Sequence, residues 1–416
     1  MAEKSSSIKG SGSRTDVTNS RQLRVVTLNT WCLAWPWPIG SKDRIERLDL
    51  LSEKLVFEAY DIVALQEIWS EKDYLRLKNK MGTSYPFSHY FHSGFTGSGV
   101  CVFSRFSIIS TLTHRYSLNG FAHHVHRGDW FGGKVVGLAQ IEAGDLLVNF
   151  YSTHLHAEYD RENDLFLPHR TAQSLELSQF VRHTALGADV VIVTGDLNLE
   201  PCDLGMRIII SQAKLTDAWR LLHEHAFSPD YKRLDQTRGV SQGGTCDRPD
   251  NIYSSKKLKE KDDSKRIDYI LFRSGKRNVT VEECEITLNE IEGTHLNYSD
   301  HVGVYANFSI GGSVRQDSSE WETDKSLIQD AIDVCTSGQA RARKDRFFFI
   351  AMFFITILVI IGTLFVPVFD IAFAIVRFFL TCLSVFFIWY GVIGLTLERK
   401  SLKAAKQTMR QLLNDD

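Results

Sequence analysis

The sequence has no excess charge of either sign. Its 48 lysines and arginines face 50 aspartates and glutamates, a formal charge of -2 at pH 7. No global basic field therefore advertises nucleic-acid binding, although a local patch can still grip phosphate. Cysteine is sparse: Cys32, Cys101, Cys202, Cys246, Cys284, Cys335 and Cys382 are scattered, odd in number and form no CxxC pair. Neither a zinc knuckle nor a disulfide framework is indicated, and free thiols in a reducing compartment are expected. The N-terminal stretch MAEKSSSIKGSGSRTDVTNS lacks the apolar core of a secretory signal. Residues 1–22 are therefore expected to be a disordered polar tail.

At 416 residues there is length for one large domain with an appendage, or for two ordinary domains. From Leu23 to Ile310, short β-branched runs alternate with longer mixed segments. LRVVTL (23–28), IVALQ (62–66), GVCVF (99–103), LLVNFYST (146–153), VVIVT (190–194) and IDYILF (267–272) read as strands. Ser41–Tyr60 and His169–Thr184 carry helical apolar spacing with charged faces. Such interleaving over residues 23–310 predicts one α/β domain. Lys256–Arg266 (KKLKEKDDSKR) reads as a solvated loop.

At Gly311 (GGSVRQDSSE) the composition breaks, and residues 311–346 read as a flexible linker and juxtamembrane segment. Phe347–Val366 and Phe378–Leu397 are unbroken apolar stretches of twenty residues each. At 1.5 Å per residue each matches a hydrocarbon core of about 30 Å, so residues 347–397 are expected to form two transmembrane helices. Pro367, Asp370 and Arg377 interrupt them. Arg341, Arg343, Lys344 and Arg346 precede the pair, and Arg399, Lys400, Lys403, Lys406 and Arg410 follow it. Positive flanks stay in the cytosol, so both ends, the large domain and a basic tail of residues 398–416 should face that side. The same clusters would attract anionic lipid.

Several polar residues sit where a strand should end, the place where α/β scaffolds display chemistry. They are Asn29 in TLNTW, Glu67 in ALQEIW, His154 in STHLHA, Asp196 and Asn198 in GDLN, Asp268 in RIDY, and Asp300 and His301 in SDH. In GDLN the two polar side chains are one residue apart, so an extended chain points both to one face. Each signal alone is weak, since acidic residues near strand ends commonly cap helices. Their joint occurrence in this order is specific.

That ordered set resembles the endonuclease/exonuclease/phosphatase superfamily, metal-dependent phosphodiesterases built on a four-layer α/β/β/α sandwich of the DNase I-like kind. The likeness spans Leu23–Phe308. RGDWFGGK (Arg127–Lys134) narrows it, because it is similar to the Gly-rich motif of eukaryotic neutral sphingomyelinases, sphingomyelin phosphodiesterase 2 type, and their fungal inositol-phosphosphingolipid relatives. No Ser or Thr follows Lys134, so a nucleotide-binding loop is not implied. The paired C-terminal helices resemble the form of that family with a hairpin after the catalytic domain.

The resemblance implies a Mg²⁺-dependent phospholipase C that hydrolyses a membrane sphingolipid, with sphingomyelin going to ceramide and phosphocholine. Glu67 is then the expected direct metal ligand with Asn29 beside it, and Asp300 serves a second metal position or the water shell. His301 is the implied base, oriented by Asp268, and Asp196 is the rival base. Asn198 and His154 would donate to phosphoryl oxygens. Lys134 would approach the same phosphate or pair with Asp129 to position the loop, and Asn119 would line the pocket. Aromatics of Trp31–Trp37 and Phe121–Phe131 serve either lipid contact or core packing. An endoplasmic reticulum, Golgi or nuclear-envelope membrane is implied. Three other readings stay open: the same chemistry on inositol phosphosphingolipids or lyso-phospholipids, a nuclease or polyphosphoinositide phosphatase of the superfamily, and a non-catalytic membrane scaffold.

Overall fold

A computed structural model describes residues 20–34, 40–223, 238–255, 260–313, 324–365 and 371–414. Among the described residues twelve strands form two sheets of six. In the first, the spatial order is β11 (Arg277–Thr287), β12 (Gly303–Ser313), β1 (Arg21–Cys32), β2 (Ile62–Ile68), β4 (Cys101–Ser104) and β3 (Phe87–Tyr90). In the second it is β5 (Ser107–Arg115), β6 (Val135–Ala143), β7 (Leu146–His154), β8 (Val190–Asp196), β10 (Asp268–Ser274) and β9 (Thr216–Asp217).

The two-residue period of the strands builds the layers. Val25, Ile62, Ala64, Val190 and Ile192 face inward and meet Val148, Phe150, Ile270 and Phe308 between the sheets. Their neighbours Val26, Val63 and Leu65 face outward and receive Leu48, Leu51 and Leu55 of α1 (Arg44–Glu58) and Leu77 and Met81 of α2 (Glu71–Met81). On the far side Val191 and Val193 take Leu177 and Val181 of α3 (Leu167–Thr184) and Met206 and Ile209 of α4 (Leu204–Ala213). Helix, sheet, sheet, helix is the expected four-layer sandwich. A further short helix, α5 (Ala218–Leu222), follows β9.

β1 runs parallel to β2, and β7 parallel to β8, so the C-terminal ends of both pairs open at one edge of the sandwich. There Asn29 lies opposite Gln66, while Asp196 lies between His154 and Asp268. One glycine is essential to this edge. Gly195 has φ 134°, and a Cβ there would meet the Thr153 carbonyl oxygen at 1.9 Å.

Three expectations change. First, α6 (Lys325–Thr363) begins far upstream of the apolar stretch, so most of the expected linker is helical. Leu327, Ile328, Ala331, Ile332 and Cys335 recur at helical spacing and pack on Leu118, Ala172, Leu175 and Ile208 of the sandwich. Gly311 to Ser313 extend β12, and residues 314–323 lie outside the described residues. Second, α7 (Ile371–Trp389) starts before Phe378 and contains Arg377, whose Nη2 donates to the Thr363 carbonyl at 2.7 Å. That bond occupies an otherwise orphaned carbonyl at the end of α6. Third, the expected basic tail continues as α8 (Leu395–Asn414), docked through Leu402, Ala405 and Met409. A π-turn at Tyr390–Gly394 joins α7 to α8. Two helical stretches, Lys325–Thr363 and Ile371–Leu413, are long and apolar enough to cross a membrane.

The charge run is also more structured than a solvated loop. Arg266 is buried and paired with Asp217 at 2.7 Å, which fixes the approach to β10. Residues 1–19, 35–39 and 256–259 lie outside the described residues, so most of the expected tail and part of the Trp31–Trp37 segment do too.

Candidate active site

Glu67, next to last in β2, takes a left-handed conformation, φ 61°, one residue after Gln66. Gln66 is buried between the sheets, where its Nε2 donates to Thr27 Oγ1 at 3.1 Å and Ser152 Oγ at 3.4 Å. The pair divides its labour: Gln66 ties β2 to β7, and Glu67 is turned toward the sheet ends. Asn29 Nδ2 donates to Glu67 Oε1 at 3.0 Å and to Asp196 Oδ2 at 2.9 Å, joining the two sheets through one amide. Its Oδ1 accepts from Trp31 N at 3.0 Å.

Asp196 lies beside His154, with Nε2 3.5 Å from Oδ2, and Asn198 N donates to its Oδ1 at 2.9 Å. Asn198 itself takes φ 48°. Its Nδ2 and Lys134 Nζ both donate to the Leu155 carbonyl, at 3.2 and 2.9 Å. Asp268 Oδ2 meets His301 Nδ1 at 2.8 Å, while Asp268 Oδ1 is buried without a partner. Ligand atoms of Asp196, Asp268 and His301 lie within 4.8 Å of one another, close enough to hold a metal ion. Asp300 accepts from Ser299 Oγ at 3.2 Å.

Burial and like charge make this cluster unusual. The Asp196 carboxyl is pushed up to about 7 by burial and by Asp268, against the pull of His301. Burial raises Asp300 to about 6. His301 is raised well above its ordinary value: burial opposes its charge, but Cys246 and Asp268 outweigh it. Burial holds His154 well below the ordinary histidine range. A crowd of carboxylates that cannot all stay ionised, with one orphaned oxygen, suits a hard divalent cation.

Lys134 is not a solvated lysine but 1% exposed, and burial lowers its pKa while Asp129 opposes that. Asp129 accepts from the Tyr159 hydroxyl and lies 3.7 Å from His156 Nε2. No direct Asp129–Lys134 ion pair forms among the described residues. Asn119 is buried, with Nδ2 donating to the Tyr116 carbonyl at 3.0 Å and Oδ1 left unpaired. Glu67, Asn29, Asp196, Asn198, His154, Asp268 and His301 thus form one connected group, and Lys134 joins it through Leu155. Asp129 and Asn119 sit in neighbouring shells.

Sequence reasoning missed Trp69, whose indole N–H points to Glu67 Oε2 at 3.5 Å. It also missed Cys246, which pairs with His301 across an isolated bridge. Trp69 follows Glu67 by two residues in QEIW, a legible spacing, whereas nothing in TCDRPD announces Cys246. Beside the cluster, Trp69, Phe95, Arg127, Asp129 and Gly132 line a cavity of about 420 Å³.

A double sheet covered by helices, with carboxylates, amides and histidines gathered at one edge, is the DNase I-like architecture. The chain belongs to the Endonuclease/Exonuclease/phosphatase family, whose pattern matches residues 26–301. Within that family its relatives include proteins named for sphingomyelin phosphodiesterase and for inositol phosphosphingolipids phospholipase C. It is 63% identical over 399 residues, 95% of this chain and 92% of the relative, to a Caenorhabditis elegans protein named "Putative neutral sphingomyelinase". It is 41% identical to Homo sapiens sphingomyelin phosphodiesterase 2 over 61% of this chain and 56% of that one. Among solved structures, D. rerio TDP2 complexed with single strand DNA product superposes with a TM-score of 0.51 at 18% identity, over 69% of this chain and 98% of that chain. That likeness is one of fold alone.

Proposed function

We propose that this chain is a membrane-anchored, Mg²⁺-dependent phospholipase C that hydrolyses sphingomyelin to ceramide and phosphocholine. The observation that carries the reading is the convergence of Glu67, Asn29, Asp196, Asp268 and His301 at one edge of the sandwich. The names of the relatives supply the substrate class.

Glu67 would hold the cation, with Asn29, Asp196 and Asp300 around it and His301 outside the ligand set. There a bound Mg²⁺ would supply positive charge against the phosphoryl group and its leaving oxygen. Asn29, through the amide that links Glu67 to Asp196, keeps the two carboxylates in register. His301 takes the proton of the attacking water, and Asp268 fixes its tautomer at Nδ1. Asp196, with its carboxyl near 7, is the alternative base. Asn198 and His154 donate to phosphoryl oxygens as charge builds there. Lys134, held against the Leu155 carbonyl, adds positive charge behind that position, and the Asp129 loop with Asn119 closes the wall of the pocket.

The two apolar helices would span the bilayer with the sandwich in the cytosol, since arginines and lysines flank both ends. A tethered enzyme meets a bilayer phosphodiester at high effective concentration. The implied home is an endoplasmic reticulum, Golgi or nuclear-envelope membrane. The test is a panel of sphingomyelin, inositol phosphosphingolipid, lysophosphatidylcholine and DNA, each with Mg²⁺ and with chelator. Chelator-sensitive release of phosphocholine from sphingomyelin supports the reading. Preferential cleavage of DNA, or of none of the four, defeats it.

A further inference from the structure

A second charged site lies away from the reaction centre, between α6 and α8. A cavity of about 380 Å³ there is lined by Arg343 of α6 and by Arg399, Lys400, Lys403, Lys406 and Arg410 of α8. Among the described residues no carboxylate lines it. Its floor is neutral: Lys406 Nζ donates to Gln339 Oε1 at 3.1 Å, and Gln339 Nε2 donates to the Arg399 carbonyl at 3.1 Å.

Arg343, Lys400, Lys403 and Arg410 are exposed at its rim, and Arg399 and Lys406 are half-buried. Arg399, Lys403, Lys406 and Arg410 recur every three or four residues, so they share one stripe of α8. The adjacent stripe, Leu402, Ala405 and Met409, about 100° round the helix, is buried in the core. Like charges at this spacing destabilise a helix, so six cations around one cavity with no carboxylate among them call for an anionic occupant. Arg399 stands two residues beyond Leu397, where the second apolar stretch ends. The cavity therefore opens where a bilayer would present its head groups. Over the eleven steps from Arg399 to Arg410 the helix rises about 16 Å, deeper than one phosphodiester needs.

We propose that this groove is a binding site for the head group of a phospholipid that carries phosphomonoesters on a ring, a polyphosphorylated inositol lipid. Such a head group brings several negative charges to six cations and extends along the basic stripe, whereas a lipid with a single net charge engages one end. Basic pockets next to membrane helices are suited to such lipids. The groove is built from α6 and α8, which also pack on α3 through Ala172 and Leu175, so its occupancy bears on the seam between anchor and sandwich. The proposal rests on the membrane reading given above, but its binding test needs neither catalysis nor a bilayer.

The full chain, purified in an uncharged detergent, is titrated by calorimetry with dioctanoyl phosphatidylinositol 4,5-bisphosphate. Parallel titrations use dioctanoyl phosphatidylserine, inorganic phosphate and a short single-stranded oligonucleotide. One-to-one saturable binding of the bisphosphate is expected, weakened at least about tenfold in an Arg399→Gln, Lys403→Gln, Arg410→Gln variant. Lys403→Arg should bind as the parent does. The triple variant should keep the parent's phosphodiesterase rate in uncharged micelles, which shows that it is folded. Equal binding of the serine lipid, phosphate or oligonucleotide would overturn the proposal in favour of diffuse attraction. So would bisphosphate binding that the triple substitution leaves unchanged, or no bisphosphate binding at all. Failure of the function proposed above would show instead as no phosphocholine release, whatever the calorimetry gives.

Discussion

Asp196 and Asp268 are register partners on β8 and β10, two carboxylates facing each other across neighbouring strands at the floor of the site. Burial and this proximity raise the Asp196 carboxyl to about 7. Two such groups cannot both ionise cheaply without a compensating cation. Replacing Asp196 by Asn should therefore relieve repulsion while abolishing activity. We expect a Tm in chelator equal to or above that of the parent, with turnover lower by about a hundredfold or more. A large drop in Tm would show that Asp196 serves the fold.

The same shift sets a pH dependence for metal binding. The folded Asp196 carboxyl has a pKa of about 7, above the ordinary carboxylate value it would have unfolded. A raised folded pKa stabilises the protonated fold; that contribution is complete below the unfolded pKa and is lost as pH rises through about 7. A bound cation requires the ionised form and displaces the proton. The gain in Tm on adding Mg²⁺ should thus be small near pH 6 and grow through pH 7 to 8, as thermal scans at several pH values would show. A gain independent of pH would remove Asp196 from the metal environment.

His301 and Asp268 should behave as a unit. His301→Ala is expected to lower turnover by about 10² to 10⁴-fold with little change in KM. Asp268→Asn should give a comparable loss, and the double variant should lose little more than either single one. Full additivity of the two losses would separate the pair.

Gln66 supports a prediction about stability rather than chemistry. It is fully buried and its amide spans the sheets to Thr27 and Ser152. Gln66→Ala should destabilise the sandwich by about 2 kcal/mol or more, through lost packing and orphaned hydroxyls. Denaturant unfolding measures it, and a loss under about 0.5 kcal/mol would contradict the structural role.

Much of the fold was legible because buried strands announce themselves. VVIVT and IVALQ are too apolar and β-branched to be anything but strands between covered faces. The edge strand β5, SIISTLTHR, was not, because its middle residues are exposed and its side chains are small or polar. β6 was masked by Gly137, which is there because any Cβ would sit 2.5 Å from the Phe91 ring. For the site, polar residues at strand ends could be named from sequence order, since parallel pairing brings those ends together. What could not be read is which neighbour each one touches. Asn29, expected beside a metal, points its amide nitrogen between two carboxylates. Lys134, which could have been a solvated side chain, is locked on the Leu155 carbonyl.

The C-terminal region was misread in one respect, for a physical reason. A Gly- and Ser-rich break was extended into a linker through Arg346, although Leu327, Ile328, Ala331, Ile332 and Cys335 keep a helical period. Their burial makes the first part of α6 part of the domain. Arg341 of α6 pairs with Glu398 of α8 and stacks over Phe121, its guanidinium 4.1 Å from the ring centroid. Trp130 in the glycine-rich loop meets Trp389 of α7 at 5.8 Å.

The most direct test is phosphocholine release from sphingomyelin vesicles by the purified full chain, with Mg²⁺ and with chelator, beside Glu67→Gln. The account predicts turnover that requires Mg²⁺ and falls by a hundredfold or so in Glu67→Gln, with the variant still folded. Hydrolysis that survives both chelator and the substitution, or a parent chain that releases nothing, would contradict it.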